Sequence, residues 1–138
     1  MSELEKNKKK VSFFLQKFNK VGVLNHINGK SEPALAGETF ENISPIDLKV
    51  ICNVARSRLE DVDLAVEAAK KAFSEWSSMT GQDRKKILHA IADGIESRAE
   101  EIALIESVDT GQSLRFMSKA ALRGAANFRF FADQAPYG

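Results

Sequence analysis

A single thiol, Cys52, stands in 138 residues, so no internal disulfide can form and nothing calls for an oxidising compartment. Charge of one sign is scarce as well. Twenty Lys and Arg face nineteen Asp and Glu, a formal balance of +1. A general nucleic-acid binder needs a basic excess to neutralise phosphates, so no nucleic acid is expected as a partner. No apolar run is long enough to span a bilayer, and no membrane partner is expected; a cytoplasmic location is the default. Prolines number three and are scattered, and neither internal repeats nor low-complexity tracts occur. G-x-G-x-x-G and G-x-x-x-x-G-K-[ST] are both missing, so no phosphate cradle is legible. What is there suits one domain of ordinary size, with 43% hydrophobic residues for a core.

The chain opens on a basic head, Lys6 and Lys8 to Lys10. Gln16, Lys17, Asn19 and Lys20 interrupt the apolar residues behind it, which excludes a secretory signal, and Glu3 and Glu5 argue against a mitochondrial presequence. Val11, Phe14, Phe18 and Val21 keep helical spacing, so a short amphipathic helix over 11–24 is allowed. One reading makes it a membrane-surface or partner anchor. The other, preferred on the usual looseness of termini, makes residues 1–25 a flexible extension.

Beyond it, Leu24 to Ile27 followed by Asn28-Gly29 reads as a strand entering a tight turn. Thr39 to Ile43 and Lys49 to Ala55 read as two more strands, joined by Ser44-Pro45-Ile46-Asp47. Alternation in the second, with Val50, Cys52 and Val54 on one face and Ile51 and Ala55 on the other, predicts cover on both sides. Four helices are expected next. Ser57-x-x-Glu60, Thr80-x-x-Asp83 and Ser97-x-x-Glu100 have the capping-box pattern, and Ser113 opens the fourth helix. The apolar stripes are Val62, Ala65, Val66, Ala69 and Phe73; Ile87, Leu88, Ile91, Ala92 and Ile95; Ile102, Ala103 and Ile105; and Leu114, Met117, Ala121, Ala125, Phe128 and Phe131. Gly111 is the natural stop of the third.

Few residues invite chemistry. Cys52 sits mid-strand with no His within twenty residues; a nucleophilic thiol needs a lowered pKa, a base and an oxyanion donor, so a buried structural cysteine is expected. His26 and His89 are too isolated for a metal pair and are read as solvated, as are Lys70-Lys71 and Arg84-Lys85-Lys86 on helix exteriors. Asp109-Thr110-Gly111 supplies the polar side chains and the positive φ of a helix stop.

The ordered set of Ile27-Asn28-Gly29-Lys30, Asp61-Val62-Asp63, Phe73, Trp76, Arg84, Asp109-Thr110-Gly111 and Asn127-Phe128-Arg129-Phe130-Phe131-Ala132 resembles the amino-terminal part of an NAD(P)-dependent aldehyde dehydrogenase. Leu122-Arg123-Gly124 through Asp133 is most similar to the muconic semialdehyde branch: the 2-aminomuconate, 2-hydroxymuconate and 5-carboxymethyl-2-hydroxymuconate types. The usual Ile-Pro before the arginine is replaced here by Ala121-Leu122. The resemblance implies an α/β lineage, with residues 26–138 the truncated amino-terminal portion of a cofactor-binding domain, mainly helical after two or three short strands. It implies oxidation of an aldehyde to an acid with NAD or NADP, neither expected to bind this chain tightly. The family's catalytic cysteine, glutamate and asparagine lie beyond the matched stretch, so the chain alone is expected to be inert. Arg123 matches an arginine associated with a substrate carboxylate, against the plainer reading of an exposed arginine. Asp109, with the carbonyls of Asn42 and Ile43 before Ser44-Pro45, matches a structural monovalent-cation site, against the plainer helix stop. Exposed Phe128, Phe130 and Phe131 make self-association expected. A noncatalytic helical interaction module is the alternative from another class.

Overall fold

A computed structural model of the chain describes residues 1–137. It opens with a helix, α1 (Glu3–Val21), where a loose extension is expected. The reason is local. Ser2 accepts from the Glu5 N–H through its hydroxyl, and its own N–H donates to the Glu5 carboxylate, a closed capping box. Asn7, Val11, Phe14, Leu15 and Phe18 are the half-buried positions, one inward face at helical spacing. Lys10 and Lys17 pair with Glu100 and Glu101 and fix the helix from its rim.

Two antiparallel hairpins follow. β1 (Asn25–Ile27) and β2 (Lys30–Glu32) are joined by Asn28 and Gly29, both at positive φ as a tight primed turn requires. β3 (Thr39–Ile43) pairs with β4 (Val50–Ala55), with a bulge between Asn42 and Ile43. Val23 continues this sheet in parallel: its N–H donates to the Asn53 carbonyl and its carbonyl accepts from the Ala55 N–H. The expectation that β4 is covered on both sides holds in part, since Ile51 and Ala55 on one face and Val54 on the other are half-buried. Cys52 is buried, while Val50 is half exposed and Asn53 lies open.

The helices are α2 (Leu59–Ser78), α3 (Gly81–Ser97), α4 (Ala99–Thr110), α5 (Leu114–Met117) and α6 (Ala120–Gln134), with a 3₁₀ turn at Ala135–Tyr137. Of the three expected caps, only Thr80 acts as one, accepting from the Asp83 N–H at 3.1 Å. The first box is shifted by one residue. Arg58 is the N-cap, its N–H donates to Asp61, and Ser57 instead donates to the Asn25 side chain. Ser97 is the last residue of α3, bonded back to the Gly94 carbonyl, and α4 follows after Arg98 alone. Bidentate pairing of Arg98 with Glu101 closes that joint. The fourth expected helix is split in two at Ser118-Lys119, and Ser113 contributes a carbonyl but no side-chain cap.

The core is built mostly from small residues. Of nine buried apolar residues six are alanines, with Cys52, Leu104 and Met117. Ala92 of α3 and Ala121, Ala125 and Ala132 of α6 let those two helices approach closely, and Arg129 braces the pair by bonding Asp93 and Glu96. Large apolar side chains stay outside: Phe73 and Phe131 are each 64% exposed. The α2 stripe of Val62, Ala65, Val66, Ala69 and Phe73 has no cover among the described residues.

Candidate functional site

The structure brings together one of the two candidate sites predicted from sequence. Asp109, in the last turn of α4, accepts from the Asn42 side-chain amide at 2.6 Å across sixty-seven positions of sequence. Gly111, left-handed at φ 73, lets the chain turn against Pro45, whose ring would lie 3.0 Å from a Cβ placed there. The Ser44-Pro45 turn and the Asp109-Thr110-Gly111 stop are thus neighbours. Ser44 is buried and holds the turn through its hydroxyl, which accepts from the Ile46 N–H at 3.2 Å. The bulge between Asn42 and Ile43 interrupts the regular ladder at the two residues whose carbonyls the family resemblance nominates. Carboxylate and carbonyl oxygens are the hard donors an alkali cation takes. The same hydrogen bond would also serve as a brace between the sheet and α4 with no ion involved.

Cys52 pairs across the strands with Asn42 and is buried. Burial pushes its thiol above the usual range, and the nearby Asp109 charge adds to this. Such a thiol is protonated at neutral pH and is no nucleophile, which agrees with the sequence reading.

Arg123 stands apart from this cluster. It is exposed, on the side of α6 opposite the buried Ala121 and Ala125, and its guanidinium makes no ion pair or hydrogen bond among the described residues. At helical spacing the same outward side carries Asn127 and Phe130, the latter 61% exposed and edge-on to Phe131. A planar cation, an amide and an aromatic ring therefore share one face. That is a chemically apt surface for a carboxylate on a flat conjugated body.

Other polar residues prove structural. His89, read as solvated, bonds Asp133 at 3.0 Å, and Lys85 reaches the same carboxylate at 2.9 Å. Both hydrogen bonds hold Asp133 below the usual carboxylate range. Arg84 likewise donates to the Met79 carbonyl rather than standing in solvent. Asp61 escaped the sequence reading as a structural hub. Buried, it accepts from the N–H groups of Leu35 and Arg58, each at 2.9 Å, and more distantly from Asn25. Those backbone donors lower its pKa. The signal was present as Arg58-x-x-Asp61, hidden by the better-looking serine one position earlier.

No glycine-rich turn opens a helix among the described residues. Gly81 is the one glycine opening a helix, and a Cβ there would meet the Ala135 carbonyl at 2.4 Å, so that helix start is closed by the chain's own backbone. A cleft of about 520 Å³ between α1, the β3–β4 turn and α4 is lined mainly by apolar residues, including Val11, Leu15, Ile51 and Leu104. None of Asn42, Cys52, Asp109 or Arg123 lines it.

Residues 33–137 match the family model described as the aldehyde dehydrogenase family. The chain belongs to the aldehyde dehydrogenase family. Among curated relatives it is 43% identical over 114 residues to aldehyde dehydrogenase 1 of Tanacetum cinerariifolium, covering 79% of this chain and 22% of that protein. It is 40% identical over 109 residues to 2-hydroxymuconic semialdehyde dehydrogenase of Pseudomonas sp. strain CF600, covering 78% and 22%. The fold superposes on HpcC of Thermus thermophilus with a TM-score of 0.90 at 34% identity, covering 94% of this chain and 25% of that one. Betaine aldehyde dehydrogenase of Staphylococcus aureus in complex with NAD⁺ gives 0.84 at 29%, covering 92% and 26%. The chain therefore spans between a fifth and about a quarter of the length of these relatives.

Proposed function

We propose that this chain supplies the substrate-carboxylate contact of an aldehyde-oxidising enzyme acting on a muconic-type semialdehyde. The observation that carries the reading is the outward face of α6, where an unpaired Arg123 shares a side with Asn127 and Phe130. A guanidinium fork binds a carboxylate in a fixed orientation, which would hold the far end of the substrate while the aldehyde end reacts. The similarity to 2-hydroxymuconic semialdehyde dehydrogenase supports this, although the Tanacetum aldehyde dehydrogenase is as similar, so the substrate class rests on Arg123 itself.

The cofactor, NAD⁺ or NADP⁺, supplies hydride acceptance when bound. The described residues do not fit it, because the start of α3 is closed and no other glycine-rich turn opens a helix. No step through it is assigned to this chain. Nor does Cys52 suit carbonyl attack, being buried with its thiol pushed up. These residues taken alone are thus proposed to be inert as an aldehyde dehydrogenase. Asn42, Ile43 and Asp109 are proposed to hold a monovalent cation that ties the β3–β4 turn to α4, a structural role.

The test is Arg123→Ala in a chimera joining residues 1–138 to the remaining three-quarters of a muconic semialdehyde dehydrogenase. A lost charge-assisted contact costs about 1.5–3 kcal/mol. A roughly ten- to hundredfold fall in kcat/KM is therefore expected for the carboxylate-bearing semialdehyde, with little change for an uncharged aldehyde of similar length. Equal falls on both would make Arg123 structural and remove the substrate assignment. A second reading, a noncatalytic interaction module, draws on the open apolar side of α2 at Val62 and Phe73. A binding partner retained by the isolated chain and lost on Phe73→Ser would favour it.

A further inference from the structure

We propose that the outward face of α1 docks on an anionic lipid surface, with Lys6, Lys9 and Lys20 at the headgroups and the Phe13 ring between them. The helix is ordered and seated, so its two sides have fixed roles. Val11, Phe14, Leu15 and Phe18 turn inward, and Lys10 and Lys17 are committed to Glu100 and Glu101 along the rim. What remains outward is Lys6, Lys9, Phe13, Gln16 and Lys20, all exposed, at steps of three and four that keep them on one stripe. Phe13 is 67% exposed, with its edge against Phe14. Lys9 and Lys20 have no acidic partner among the described residues, and Lys6 has only Glu3 at 3.7 Å.

Charge complementarity favours this occupant. Within α1 six lysines face two glutamates, a local excess of +4, while the whole chain carries +1. The rest of the molecule is therefore net acidic and repelled by an anionic surface, which would orient the chain with α1 toward it. The expectation of no membrane partner averages these opposite regions together. An exposed aromatic with flanking lysines whose stems snorkel is suited to the headgroup boundary. A shallow cleft lined in part by Phe13, Gln16 and Lys20 borders the stripe, so an extended acidic peptide is the competing occupant, which the polyglutamate arm of the test separates from lipid. The contact lies on the surface: no described helix is long and apolar enough to cross a membrane. It precedes residue 33, where the family-model match begins, but lies within a fold that superposes on HpcC over 94% of the chain.

The experiment is co-sedimentation of the full chain with phosphatidylcholine vesicles, with and without phosphatidylserine, at low and high salt. Binding is expected only with phosphatidylserine, and it should fall as salt rises. Reversal of the three lysines (Lys6→Glu, Lys9→Glu, Lys20→Glu) should weaken partition by roughly a hundredfold or more, and Phe13→Ser by several-fold. The neutral set Lys6→Gln, Lys9→Gln, Lys20→Gln removes half as much charge and should weaken it by roughly a hundredfold, less than reversal does, while circular dichroism shows the helix retained. Equal binding to neutral vesicles would mean that apolar surface elsewhere is responsible and would overturn the proposal. So would lysine variants that bind like the parent, or capture by polyglutamate or duplex DNA in preference to anionic vesicles. None of these readouts depends on aldehyde oxidation.

Discussion

Gly22 shows how one position joins two elements. It ends α1 with its N–H on the Phe18 carbonyl, at φ 74, and a Cβ there would fall 2.6 Å from the Asn53 carbonyl of β4. Gly22→Ala therefore meets both a positive-φ, extended-ψ backbone that is essentially glycine-only, costing about 1–3 kcal/mol, and an overlap that backbone must relieve. Its expected outcome is a lower midpoint of urea unfolding and loosening of α1, read as faster amide exchange at Val23 and Ala55. Asp61 is the second such residue. Its backbone donors depress its folded pKa, so the stability it contributes is present above the ordinary carboxylate range. That contribution is lost as pH falls through the folded value. Asp61→Asn should lower stability at neutral pH and flatten the acid limb of the stability–pH curve; a variant with the parent's acid limb would remove Asp61 as its source.

At the scale of elements, α3 and α6 are the tightest pair, and their closeness depends on alanine. Ala92 and Ala132 are wholly buried, with Ala125 nearly so. Added methylenes have nowhere to go, and overpacking of this kind costs about 1–3 kcal/mol. Ala125→Leu should lower the unfolding free energy by that order, read as a lower urea midpoint, whereas Leu122→Ala, on the more open side, should change it little. The helix pattern announced these elements and put Met117, Ala121 and Ala125 on the inward stripe, where all three are buried, while Phe128 and Phe131 at its far end stay open and Ala132 is buried instead. Periodicity locates a stripe; the width of the gap between two backbones decides whether alanine or phenylalanine fills it.

For the whole molecule the imbalance is between a small core and a large apolar exterior. Burying a large apolar side chain is worth about 1.5–3 kcal/mol, and among the described residues only Leu104 and Met117 of the large apolar side chains lie in the core. Phe73, Trp76, Phe116, Phe130 and Phe131 leave that energy unrealised on open faces, so association is the expected route to it. The isolated chain should self-associate in light scattering or bind an apolar dye with a broad melt. A monomer with a sharp two-state transition and no dye signal would show that the alanine core suffices. The same chain should yield no NADH from a muconic semialdehyde or a simple aldehyde; Cys52-dependent turnover above background would contradict the site geometry.

Sequence by itself determined the family, the order of the hairpin strands before α2 to α6, the Asn28-Gly29 turn, the Thr80 cap and the Gly111 stop. These are local: each depends on side chains and backbone angles within a few residues. It also made Cys52 an improbable nucleophile. The family resemblance grouped Asn42 with Asp109, but tertiary structure alone decided that the Asn42 side chain donates to that carboxylate, that Asp61 and Asp133 collect donors from distant segments, and that α1 is seated with Lys6, Lys9 and Lys20 outward. Those outcomes hang on which face of one element meets another, and a pattern along the chain cannot fix that while the competing faces are similarly apolar. Ser57 and Ser97 show the converse, since both fit a cap motif yet bond elsewhere. The motif is worth about 1 kcal/mol, less than the packing that sets where a helix must begin.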